Sequence, residues 1–167
     1  MLAPAAQKAR GPMGRKNMLK EGMTAPDFVL DADDGTPVSL SSFTGKTVVL
    51  YFYPKDDTPG CTTEACGFRD AWDSFLGKGA VVIGVSPDKP QSHAKFRTKY
   101  ELPFKLLADP EARVLKAYGA WGEKSMYGKT YEGVLRSTFV IGKDGMIAKV
   151  FPKVKPEGHA EEILALL

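Results

Sequence analysis

The sequence predicts an α/β fold with a buried, largely parallel sheet. Two continuous apolar runs, Val48–Tyr53 and Ala80–Val85, have the length and composition of strands covered on both faces. Between them Ala65, Phe68, Trp72, Phe75 and Leu76 recur at helical spacing, with Gly77 as the terminator. Together they make a β-α-β unit, whose crossover is expected to be right-handed.

The other elements follow in chain order. Phe28–Leu30 and Val38–Leu40 read as a hairpin joined through Asp33-Asp34-Gly35. After the second buried strand, a helix is predicted from Pro90 to Tyr100. A short helix is expected after Asp109-Pro110, with Asp109 as its cap. Thr138–Ile141 and Met146–Phe151 flank Gly142-Lys143-Asp144-Gly145, a strong hairpin signal. Residues 156–167 read as a closing helix with Ile163, Leu164 and Leu167 turned inward. No internal repeat or low-complexity tract interrupts this order.

Composition narrows the classes of function. A chain of 167 residues with 43% hydrophobic and 26% charged residues is sized and composed for one globular domain with a real core. No apolar run approaches the roughly 18 residues of a membrane span, so no membrane association is expected. The formal charge of +3 is misleading, because Lys8, Arg10, Arg15 and Lys16 lie in an acid-free segment, residues 1–17. The remainder is close to neutral, which argues against nucleic acid as a partner. Residues 1–17 lack the apolar centre of a secretory signal and read as a flexible basic tail, with a single domain over 18–167. Two cysteines are too few for a disulfide-stabilised scaffold, which favours a reducing, cytoplasmic setting.

The chemistry concentrates where the first buried strand meets its helix, in Tyr53-Pro54-Lys55-Asp56-Asp57-Thr58-Pro59-Gly60-Cys61-Thr62-Thr63-Glu64-Ala65-Cys66. Thr58 is a favoured N-cap and Pro59 suits the first helical position. Cys61 then falls in the first turn, where free N–H groups and the positive end of the helix dipole favour thiolate. Two cysteines in a chain of this length are commonly just small buried hydrophobes; the helix start argues for a reactive Cys61. Zinc is not expected: the thiols lack C-x-x-C spacing, and His93 and His159 show no ligand pattern. Cα atoms at i and i+5 of a helix stand about 8.5 Å apart, beyond the roughly 7 Å limit for a disulfide. A permanent bridge between Cys61 and Cys66 is therefore incompatible with the helix, whereas a transient one that unwinds it is not.

Pro54-x-x-x-Thr58-x-x-Cys61 resembles the peroxidatic motif of the peroxiredoxins. A second cysteine five residues on resembles the peroxiredoxin Q, or bacterioferritin comigratory protein, subgroup. The likeness continues through Phe68-Arg69-Asp70, Gly84-Val85-Ser86-Pro87-Asp88, Ser92-His93-x-Lys95-Phe96, Leu102-Pro103-Phe104, Asp109 and Val134–Ile141, covering roughly residues 18–167. It implies a thioredoxin fold with an N-terminal β-hairpin extension and an inserted strand-helix unit.

The resemblance also implies roles. Cys61 would be the peroxidatic thiolate, oxidised by hydrogen peroxide or an organic hydroperoxide to sulfenic acid. Cys66 would be the resolving thiol, closing an intramolecular disulfide. Thr58 would offer its hydroxyl to thiolate or peroxide, and Pro54 would shield the pocket from water. Arg136, which read alone is a surface residue, would bring permanent positive charge from a distant strand. Glu64 would join the arginine, or simply be a first-turn carboxylate favoured by the helix dipole. Thioredoxin is the implied reductant, with glutaredoxin a second candidate. No cofactor or metal is implied, and an internal resolving thiol favours a monomer. The competing readings are a general thioredoxin-like disulfide oxidoreductase and a non-catalytic thioredoxin-fold binding module.

Other motifs carry less. Gly45-Lys46-Thr47 matches the end of a phosphate-binding loop, but Leu40 stands where that motif needs glycine, and a strand follows instead of a helix. Ala120–Gly128, aromatic and glycine-rich, reads as a loop over the active site or as plain packing. His93 reads as a helix-surface residue or a satisfied buried histidine.

Overall fold

The computed structural model describes residues 17–167; apart from Asn17, the proposed basic tail lies outside the described residues. Seven strands form one mixed sheet in the order β2-β1-β5-β4-β3-β8-β9. They are β1 (Val29–Ala32), β2 (Pro37–Ser39), β3 (Thr47–Phe52), β4 (Ala80–Ser86), β5 (Lys105–Ala108), β8 (Ser137–Ile141) and β9 (Ile147–Phe151). β3, β4 and β5 are parallel neighbours, and the flanking pairs are antiparallel. The helices are α1 (Pro59–Asp70), α2 (Trp72–Gly77), α3 (Pro90–Tyr100), α4 (Arg113–Tyr118) and α5 (His159–Leu164).

Period-two alternation along β3 divides the core between the two faces of the sheet. Val48, Leu50 and Phe52 join Leu115, Tyr118 and Phe139 on the α4 side. Val49, Tyr51 and Tyr53 join Phe68 of α1, Phe75 of α2, Phe96 of α3 and Ile163 of α5 on the other. The β3-to-β4 and β4-to-β5 crossovers step the same way across the sheet, so two right-handed crossovers place α1 and α3 on one face. This arrangement is a thioredoxin-type sheet preceded by the β1–β2 hairpin, with β5 and α4 as the inserted strand and helix.

Several details depart from the expectations. The predicted long helix is two: at Ala71 the backbone leaves the helical region (φ −98°, ψ 6°) and restarts as α2. The break aims Phe75 fully into the core while Leu76, expected inward, is 47% exposed. Gly77 is the last helical residue, and the left-handed turn falls two residues later at Gly79 (φ 71°). Ala120–Gly128 is not a loop. Trp121–Met126 (β6) pairs with Lys129–Val134 (β7) in a separate hairpin, turned by Tyr127 and Gly128, both at positive φ. The closing helix covers only His159–Leu164, because Gly158 (φ 76°) sets its start. Asp109 caps α4 from a distance: its two carboxylate oxygens accept the N–H groups of Arg113 and Leu115 at 3.0 and 2.8 Å.

The N-terminal end of the domain is held by close backbone approach. A Cβ on Gly119 (φ 76°) would lie 2.2 Å from the Asn17 carbonyl oxygen and 2.4 Å from Met18 Cα. Only glycine lets that segment cross here, and Met18 is buried as a result.

Candidate active site

The site is assembled at the carboxyl end of β3 and the start of α1. Thr58 has extended backbone (φ −97°, ψ 157°), Pro59 follows at the first helical position, and the Thr58 carbonyl accepts the Thr62 N–H at 2.8 Å. Cys61 therefore sits in the first turn and is 1% exposed. Glu64, three residues on, lies on the same face of α1 and is likewise buried. Cys66, partly exposed, lies on the same unbroken helix, and both thiols are free.

Arg136 reaches this helix from the linker between β7 and β8. Its neighbours fix it: Leu135 N–H donates to the Ala120 carbonyl at 2.7 Å, and Ser137 pairs with Phe52 at the end of β3. With the backbone pinned on both sides, the side chain extends over the start of α1. Nη1 donates to Glu64 Oε1 at 2.6 Å and Nη2 to Cys61 Sγ at 3.2 Å. Gly60 makes room for this. A Cβ there would stand 3.3 Å from Arg136 Nη2. One guanidinium thus bridges a carboxylate and a thiol from adjacent turns, a planar two-point contact that lysine has no geometry to copy.

The electrostatics follow from burial around one permanent cation. Burial pushes the Glu64 carboxyl up from its ordinary value near 4.5 to about 7, with Arg136 opposing the rise. Burial also works against the charge on Arg136, yet Glu64 and Cys61 outweigh it and hold the guanidinium above its ordinary range. Tyr51 lies beneath. Its hydroxyl and Glu64 Oε2 are buried with no hydrogen-bond partner among the described residues. Burial, then Glu64 and Cys61, hold the Tyr51 phenol well above its usual range, so it stays protonated.

A test of stability follows from Glu64. Its folded pKa lies above its ordinary value, so the native state binds this proton more tightly than the unfolded chain does. The contribution to stability is complete below about pH 4.5 and is lost as pH rises toward about 7. Urea unfolding of wild type and Glu64→Gln across that range is expected to show wild type losing stability relative to the variant. A constant difference between the two would show that Glu64 does not titrate there.

The remaining sequence-predicted residues lie around this centre. Thr58 directs its hydroxyl proton to the Lys55 carbonyl at 2.8 Å, so its side chain neither caps α1 nor donates toward Cys61. Pro54 is half-buried just past the end of β3. Sequence reasoning missed Gly60, Tyr51 and Asp56. Gly60 and Asp56 stand within the motif itself, but their roles depend on partners 76 and 37 residues away, which one-dimensional spacing does not reveal.

A sheet of this topology, with a thiol at a helix start hydrogen-bonded to an arginine that comes from a two-residue linker, and not from a strand as the sequence suggested, defines a thiol-based redox enzyme. Comparison with known proteins gives its family. The AhpC/TSA family model matches residues 22–150. Peroxiredoxin Bcp of Bacillus subtilis strain 168 is 51% identical over 146 residues, covering 87% of this chain and 93% of that one. Peroxiredoxin Bcp of Escherichia coli K12 is 46% identical over 148 residues, covering 89% and 95%. A solved structure of the Xanthomonas campestris bacterioferritin comigratory protein, studied for alkyl peroxide reduction, superposes with a TM-score of 0.82. It is 37% identical and covers 87% of this chain and 96% of that one. The chain belongs to the AhpC/TSA family, as a peroxiredoxin of the Q or bacterioferritin comigratory subgroup. It is a thiol-dependent peroxidase.

Proposed function

We propose that Cys61 is the peroxidatic residue, Cys66 the resolving one, and that the two cycle through an intramolecular disulfide. The observation that carries this is the Arg136 Nη2–Cys61 Sγ hydrogen bond, 3.2 Å long, at the start of a helix that also carries Cys66. The bond holds the guanidinium beside the sulfur, where it meets the negative charge that passes to the peroxide oxygens during attack. The Cys61 thiolate attacks one peroxide oxygen, the O–O bond breaks, and the other oxygen leaves as water or alcohol after taking a proton. The Thr58 hydroxyl, its own proton given to Lys55, has lone pairs to accept the peroxide O–H. Pro54 closes the strand side of the pocket against water, and Glu64 fixes the guanidinium plane from the side away from the sulfur.

Resolution balances simply. The Cys66 thiolate attacks the Cys61 sulfenic sulfur, hydroxide leaves as water with one proton, and an S–S bond forms. Two electrons from a dithiol then restore both thiols. Thioredoxin fits as that donor, because an intramolecular disulfide is the form a dithiol exchanger attacks; glutaredoxin is the second candidate. The Xanthomonas relative's alkyl peroxide activity supports organic hydroperoxides beside hydrogen peroxide as substrates. A resolving thiol within the chain supports a monomer, and the need for a reducing partner supports the cytoplasm. Residues 1–17 are outside this chemistry.

Peptide mapping after one equivalent of peroxide tests the scheme. A single intramolecular Cys61–Cys66 disulfide is expected, with peroxide consumed in the absence of any protein disulfide substrate. A stable sulfenic acid at Cys61, or a disulfide between two chains, would overturn it. Unconsumed peroxide alongside thiol exchange with other proteins would favour a general oxidoreductase.

A further inference from the structure

A second polar constellation anchors the loop that leads to Cys61 and takes no part in the chemistry above. Asp56, in the loop between β3 and α1, is buried with a carboxylate that is fully engaged. Its Oδ1 accepts the Tyr53 hydroxyl at 2.5 Å, and its Oδ2 accepts Ser92 Oγ at 2.7 Å and lies 2.8 Å from His93 Nδ1. The Asp56 N–H donates to Asp88 Oδ2 at 2.8 Å, and the same oxygen accepts Ser86 Oγ at 2.7 Å. His93 is itself fully buried, with Nε2 3.0 Å from the Leu107 carbonyl oxygen. One loop residue is thus tied to the end of β4, to the first turn of α3 and, through the histidine, to β5.

The chemistry of His93 fixes what the pair holds. A carbonyl oxygen only accepts, so Nε2 carries a proton. Nδ1 faces a carboxylate oxygen, so a second proton lies in the Asp56–His93 contact. The three ligand-type side chains Asp56, Asp88 and His93 come within metal-binding range of one another, but both Asp56 oxygens, both His93 nitrogens and Asp88 Oδ2 are already engaged in these hydrogen bonds. The next residue is clamped as well. Asp57 has left-handed backbone (φ 59°), and its carboxylate accepts Lys99 Nζ and Tyr100 Oη, each at 2.8 Å.

We propose that the Asp56–His93 pair is a positioning clamp for Cys61, which holds residues 53–58 on the sheet and so makes α1 unwind only downstream of the thiol. This rests on the disulfide cycle proposed above, since that cycle is what requires α1 to open. A buried polar pair of this kind adds little net stability over packed apolar side chains, so the clamp's contribution is position. With the upstream loop fixed, Cys61 keeps its register against Arg136 for attack on peroxide. Once oxidised, the segment free to rearrange is the stretch toward Cys66, and it stops at Phe68, which is fully buried against Tyr51, Phe75 and Phe104. Releasing the clamp lets the loop and the helix start drift together, which harms attack and leaves resolution unhindered.

Quenched-flow mass spectrometry of the full chain separates the two steps: oxidation of Cys61 by hydrogen peroxide, then formation of the disulfide. In Asp56→Ala the oxidation rate constant is expected to fall by about tenfold or more, as for a misplaced reacting group. The disulfide-forming rate constant is expected to stay at or above wild type. Asp56→Asn, which accepts from Tyr53 and donates to His93 Nδ1, should recover most of the oxidation rate. An unchanged ratio of the two constants in Asp56→Ala, or equal losses in both, overturns the clamp. Should Asp56→Ala fail to fold, Ser92→Ala removes one hydrogen bond to the same carboxylate, and its ratio must move in the same direction. No disulfide in wild type would instead refute the proposed cycle, while a normal wild-type cycle with no shift in the variants refutes only the clamp.

Discussion

Replacing Arg136 by lysine is expected to slow reaction with peroxide by at least about tenfold, or roughly 1.4 kcal/mol in barrier, while the protein stays folded. The guanidinium makes two contacts at once, to Glu64 Oε1 at 2.6 Å and to Cys61 Sγ at 3.2 Å. An ammonium is a single point of charge and has to abandon one of them. If it stays with the carboxylate, the thiolate loses its donor and the developing charge on the leaving oxygen is unmet. If it moves to the sulfur, Glu64 is left buried without its counter-ion. The carboxyl then protonates rather than persist as a lone charge, which is why stability should suffer less than catalysis. Stopped-flow peroxide kinetics beside a melting curve measures both. An unchanged second-order rate in a folded Arg136→Lys protein would remove the residue from the site.

Cys66→Ser is expected to separate the first turnover from the cycle. Oxidation of Cys61 needs only Arg136, the helix start and the loop, to none of which the Cys66 side chain is hydrogen-bonded among the described residues. The first equivalent of peroxide should therefore be consumed at close to the normal rate. Steady-state turnover with a thioredoxin system should be abolished, and excess peroxide should drive Cys61 past sulfenic to sulfinic acid. Sustained turnover of the variant would mean that a thiol outside this chain resolves the sulfenic acid.

Much of this was legible in the chain because its signals are local. The buried strands β3 and β4 announce themselves as apolar runs. The Asp33-Asp34-Gly35 and Gly142–Gly145 turns are written in residues that tolerate positive φ, and Thr58-Pro59 marks the start of α1. What stayed hidden depends on contacts between distant segments. The β6–β7 hairpin is mostly exposed, so it has no apolar alternation, and its turn puts Tyr127 at φ 54°, where glycine or asparagine would have signalled it. The break at Ala71 has no glycine or proline to mark it and serves the packing of Phe75. Arg136 read alone was a surface residue; only the pairing of Ser137 with Phe52 shows why its side chain arrives at Cys61. His93, which has no ligand pattern around it, is a satisfied buried histidine, and its partners were hidden because they lie 14 and 37 positions away.

The central claim is that the peroxidase cycle opens and closes one helix. Hydrogen exchange on the reduced protein and on its peroxide-treated form tests this most directly. Cys61 and Cys66 both lie on α1, where an i to i+5 separation of about 8.5 Å forbids their bonding. The oxidised protein should therefore lose protection across residues 61–66, while β3 and β4 keep theirs. Oxidised protein that carries the Cys61–Cys66 disulfide yet protects α1 as fully as the reduced form would contradict the account.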